Sequence, residues 1–74
     1  MLKYTDMHLV KEGTALIAEV TYDVRELTEG KTYYAIYGAQ AGDFTSRPYV
    51  AVLGDHGEVY TCHLSRFKLS ETEG

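Results

Sequence analysis

The 74-residue chain contains one cysteine, one proline and no tryptophan. With Cys62 alone, an internal disulfide is impossible. Secreted domains of this size are ordinarily stapled by several disulfides, so the sequence reads as a protein of a reducing cytoplasm. A structural zinc would need all of Cys62, His8, His56 and His63, and none of them sits at a paired-ligand spacing. We therefore expect no metal or other cofactor, and expect Cys62 to be a small buried strand residue. Apolar runs reach five residues at most, against the roughly 20 needed to cross a bilayer. Lys3, Asp6, His8, Lys11 and Glu12 interrupt any leader-like apolar stretch at the start. The expected setting is soluble and cytoplasmic, without a membrane partner.

A strong charge of either sign is also missing. Seven basic residues face eleven acidic ones, for a net charge of −4. Residues 1–37 hold four basic and six acidic residues, and residues 38–74 hold three and five. Neither half is a basic arm, so sequence-blind phosphate binding has no electrostatic footprint. The charge fits ordinary solubility.

What the chain does have is strand chemistry at regular spacing. Glycine and other turn residues recur about every ten to twelve positions, the rhythm of a small barrel or sandwich. Residues 15–24 predict a strand, with Leu16, Ala18, Val20 and Tyr22 alternating with more polar neighbours. Leu27-Thr28-Glu29-Gly30-Lys31 predicts a type II turn with Gly30 at positive φ. A second strand is expected over 32–38. Residues 39–48 form the longest loop, and Pro48 delays the next strand to Tyr49. The hairpin 49–64 turns at Asp55-His56-Gly57, with Gly57 expected in a left-handed conformation beside a bulge. Ser65-Arg66-Phe67 predicts a short helical turn that delivers Phe67 to the core, followed by a last strand at Lys68-Leu69. Residues 1–13 suit either a short helix or an extra strand, and residues 70–74 read as a flexible tail. All of this makes one all-β domain, 1–74, of about five strands.

The pattern Leu27-Thr28-x-Gly30-Lys31-x-Tyr33, Asp55-x-Gly57-Glu58 and Arg66-Phe67 resembles one found in small phage and prophage proteins with an SH3-like barrel. The resemblance covers roughly residues 20–69. It implies an SH3-like barrel, a viral or mobile-element origin, and binding rather than catalysis. It carries no ligand residues across.

Catalytic constellations are weak. Cys62 and His63 are adjacent, so on a strand they point to opposite faces and cannot act on each other. Asp23, Asp43 and Asp55 read as turn formers rather than cation ligands. Gly38, Gly42, Gly54 and Gly57 lack the spacing of a phosphate cradle. We expect no enzymatic activity.

Seven tyrosines and two phenylalanines exceed what so small a core can bury. The surplus, beside a loop holding Phe44 and Arg47, predicts a protein-binding surface at Tyr34, Tyr37, Phe44, Arg47 and Tyr49, since Tyr and Arg supply interface hot spots. The leading expectation is a protein-interaction module that modulates a host or viral protein, by way of host takeover or inhibition. The alternatives are a nucleic-acid-binding barrel that stacks bases on tyrosines near Lys31, Arg47, Arg66 and Lys68, and a structural homo-oligomeric subunit.

Overall fold

A computed structural model describes residues 2–42 and 47–70. The fold is all-β. Five short strands, β1 (Ala15–Ala18), β2 (Thr32–Tyr34), β3 (Tyr49–Leu53), β4 (Val59–His63) and β5 (Phe67–Leu69), form two antiparallel sheets. The first has the order β2-β1-β5 and the second is the β3-β4 hairpin. The described residues include no α-helix, only 3-10 helices at Tyr4–Leu9 and Leu64–Arg66. The N-terminal segment thus takes the helical alternative. Its first turn is held by the Asp6 carboxylate, which accepts the Lys3 N–H at 2.8 Å.

The two sheets meet at one corner. Ala35 faces the first sheet, where its N–H donates to Thr14 and its carbonyl accepts from Gly13. One residue later, the Ile36 N–H donates to Ala51 of β3 at 2.8 Å, and Ala35 bridges Val52. The expected strand 32–38 is therefore shorter, because the chain leaves one sheet for the other at Ala35 and bends through Ile36 and Tyr37. No pairing joins β4 to β5 among the described residues. The architecture is two small sheets sharing a corner, rather than a ring closed by hydrogen bonds.

The strand expected over 15–24 also ends early, at Ala18. Glu19 and Val20 both donate to the Arg66 carbonyl. The chain then reverses through Tyr22 (φ 51°) and Asp23 (φ 62°), and the Val24 N–H closes the turn on Thr21 at 3.0 Å. Left-handed backbone at an aromatic residue is strained, and such outliers cost of order 1–3 kcal/mol. Arg66 offers a local compensation, its guanidinium lying 5.0 Å from the Tyr22 ring centroid. Tyr22, read as an alternating strand residue, is in fact 72% exposed.

The turn predictions hold. Gly30 has φ +86°, and the Lys31 N–H closes that turn on Thr28 at 3.0 Å. Gly57 has φ +80°, with its own N–H on Gly54 and the Gly54 N–H on Glu58. That is the bulged three-residue hairpin. The helical turn at Leu64–Arg66 does place Phe67 in the core, fully buried. Leu16, Val50, Val52, Leu64 and Phe67 form the centre, wrapped by Leu2, Val10, Leu27, Tyr33 and Cys62. Each such side chain contributes about 1.5–3 kcal/mol by leaving water. Tyr33 meets Phe67 edge-on at 6.5 Å.

Candidate functional site

The turn residues from two distant stretches converge on one carboxylate. Asp55, on the β3–β4 turn, accepts the Thr28 hydroxyl at 2.6 Å, the Lys31 ammonium at 2.7 Å and the Tyr33 hydroxyl at 2.8 Å. The Tyr33 oxygen in turn accepts the Thr28 N–H at 2.6 Å. The Asp55 N–H donates to the Glu26 carbonyl. A Cβ on neighbouring Gly54 would sit 3.0 Å from that same carbonyl oxygen, so the close approach of the two loops needs a glycine there. The Lys31 hydrogen bond, then those from Thr28 and Tyr33, hold the Asp55 carboxyl down at about 2. The same contact raises Lys31. These are the polar positions of the Thr28-x-Gly30-Lys31-x-Tyr33 and Asp55 pattern. Their first role here is to fasten the turn before β2 to the tip of the hairpin.

Beside this network lies an apolar row on the outer face of the sheets. Ala35 and Val52 point inward and are buried, so the residues before and after them, Tyr34 and Leu53, point outward. Leu53 pairs with Val59 on β4. Tyr34, Leu53 and Val59 are 62%, 55% and 63% exposed. A pocket of ≈ 280 Å³ is lined by Lys31, Tyr33, Tyr34, Leu53 and Asp55, with Thr32 and Gly54 between them. Its lining thus combines exposed apolar side chains with an ion pair, and the Lys31 ammonium, with three donors, spends one on Asp55.

Of the residues singled out from sequence, Tyr34 belongs to this row. Tyr37 lies past the corner, on the bend, and is 37% exposed. Tyr49 is half-buried at the far end of β3, bridged to Gln40. It shares the outer face with Leu53 but lies four residues away, roughly 13 Å along the strand. Arg47 is exposed near Tyr49. Phe44 lies outside the described residues, as does Asp43. The structure therefore separates Tyr34 from Tyr49 and supplies Tyr34 with partners that sequence reasoning missed, Leu53 and Val59. The alternation of β4 contained the signal: with Tyr60 and Cys62 inward, Val59, Thr61 and His63 must point out.

The other candidate chemistry stays apart. Cys62 is buried and His63 exposed, on opposite faces of β4. Burial pushes the Cys62 thiol up to about 11, which suits an inert thiol rather than a nucleophile. Among the described residues no group of three or more His, Cys, Asp or Glu is placed to hold a metal ion. Arg66, besides stacking on Tyr22, donates to the Tyr60 hydroxyl at 3.1 Å. No helix of the described residues is long and apolar enough to cross a membrane. The chain matches no family model, no curated protein and no solved structure.

Proposed function

We propose that this chain is a small, non-enzymatic protein-interaction domain of SH3-like barrel type. Its docking face is the outer row Tyr34–Leu53–Val59 together with the pocket rimmed by Lys31 and Asp55. One observation carries the reading: three large apolar side chains, each more than half exposed, stand side by side on paired strands. Scattered exposed apolar residues are ordinary, but a contiguous row beside a polar rim marks an interaction surface. Sheet strands hold the row rigid, which lowers the entropic cost of binding. The favoured partner is a protein that inserts an apolar side chain between Tyr34 and Leu53 and offers an acidic group to Lys31.

On this reading Tyr37, Tyr49 and Arg47 lie beyond the row and are peripheral to docking. The resemblance to small phage proteins fits an accessory protein of the host cytoplasm that alters its partner's activity. Nucleic-acid binding has less support, since seven basic residues face eleven acidic ones and Arg66 is engaged by Tyr22 and Tyr60.

The test is a paired affinity purification. Tagged wild type is compared with Tyr34→Ala, Leu53→Ser and an exposed control outside the row, Glu12→Ala, each first shown to be folded. A hot-spot truncation costs ~2 kcal/mol or more of binding. A specific protein retained by wild type and control but lost from both face variants supports the proposal. The same proteins recovered by all four samples would refute it.

A further inference from the structure

The two sheets leave two outer edges, and the chain treats them differently. On β5, the Phe67 carbonyl accepts the Leu2 N–H at 2.9 Å, and Lys68 stands in the middle of the strand. A covering segment and a lysine are the ordinary protections of an edge. On β4 neither is present among the described residues. Its sequence, Val59-Tyr60-Thr61-Cys62-His63, contains no lysine, carboxylate, proline or glycine.

The hydrogen-bond pattern shows which groups are on offer. Gly54 bonds Glu58 and Leu64 bonds Pro48. Bonded pairs alternate in an antiparallel ladder, so Val50 with Cys62 and Val52 with Tyr60 are the bonded pairs between them. Val59, Thr61 and His63 accordingly direct their N–H and C=O groups away from β3. Among the described residues no backbone group bonds them.

We infer that β4 is the edge through which two copies of this chain pair, antiparallel, about a twofold axis at Thr61. The pattern of the strand is what names a second copy as the occupant. With Thr61 opposite its own equivalent, Val59 of each copy falls opposite His63 of the other. All three outward-pointing residues then exchange both of their backbone bonds, about six in total. Thr–Thr is a favourable cross-strand pair, and no like charges face each other along the strand. The contact is isologous and closes at two copies, which ends the edge rather than propagating it. The side chains of Val59 and Thr61 lie on the outer face, so pairing joins the two apolar rows into one continuous surface. It also supplies the reinforcement that a chain of this size, without disulfide, needs.

Analytical ultracentrifugation of the tag-free chain over a wide concentration range tests this directly. Wild type should reach twice the monomer mass. Thr61→Lys places two ammonium groups across the axis and should weaken the dimer about tenfold or more. Thr61→Pro removes an N–H that points away from β3, so it leaves the β3 ladder whole while removing two of the intermolecular bonds. Thr61→Val, which keeps strand chemistry, should remain dimeric, and circular dichroism should find all three variants folded. A wild type that is monomeric throughout would overturn the inference, also if an added extended peptide then pairs with β4. So would a dimer indifferent to Thr61→Lys. Because no docking partner is present, the result is independent of whether the proposed face binds one.

Discussion

The hydroxyl of Tyr33 joins two loops that are distant in sequence, and Tyr33→Phe removes that one atom. The ring stays buried, only 4% exposed, and keeps its edge contact with Phe67. Two hydrogen bonds are lost: one accepted from the Thr28 N–H at 2.6 Å and one donated to Asp55 at 2.8 Å. A neutral bond of this kind contributes about 1 kcal/mol net, and one to a charged group about 1.5–3 kcal/mol. Both are only partly buried, so the lower end applies and the expected loss is about 2–3 kcal/mol. A domain of this length has roughly 4–11 kcal/mol of stability in total, so the change is large. It corresponds to a fall in melting temperature of roughly 8–24 °C. Urea denaturation followed by circular dichroism should show a lower midpoint with an unchanged slope, since no extra surface is exposed. Tyr34→Phe, at an exposed hydroxyl, should stay within ~0.5 kcal/mol of wild type. If Tyr33→Phe is equally silent, the Asp55 network does not fasten the turn to the hairpin.

Three further outcomes are expected. Gly57→Val should destabilise by about 1–2 kcal/mol in thermal melts, from the left-handed backbone alone, since a Cβ there meets nothing within 4 Å; His56→Ala should change little. Asp55 titrates at about 2 in the folded chain, below its ordinary 3.8. Its contribution is therefore complete above pH ~4 and is lost as pH falls toward 2, a dependence that Asp55→Asn should flatten in acid denaturation curves. For Cys62 the sign reverses. Its thiol is raised from 9.0 to about 11, so the native state holds that proton more tightly, and stability should fall as pH rises from 9 toward 11. The same burial should make Cys62 slow to react with a thiol reagent until denaturant is added, and Cys62→Ser should remove the alkaline dependence attached to it.

The readable parts of the fold were those whose chemistry is local. Gly30 and Gly57 announce positive φ because few other residues tolerate it, and the β-branched and aromatic run of 49–64 announces a hairpin. Phe67 could be placed in the core because a short turn precedes it. The ends of the first two strands were not readable. Tyr22 takes a left-handed conformation that an aromatic residue disfavours, beside the more tolerant Asp23, and its ring is met by an arginine 44 positions later in the sequence. The corner at Ala35 is likewise set by two sheets competing for adjacent backbone groups, which alternation alone does not encode. For the candidate site, the surplus of tyrosine pointed to Tyr34. It could not place Leu53 and Val59 beside it, because that depends on the β2–β3 register. The Thr28, Lys31, Tyr33 and Asp55 residues were visible as a pattern, but reading them as turn chemistry concealed that they meet.

The most direct test of the docking face is a two-dimensional amide NMR titration of the labelled chain with the partner recovered by affinity purification. Shift changes should concentrate at Lys31–Tyr34, Leu53–Asp55 and Val59–Thr61, the strands and turns that carry the apolar row and its charged rim. Changes confined to residues outside the row, around Tyr22, Asp23 and Arg66, would contradict the account and move the interface there.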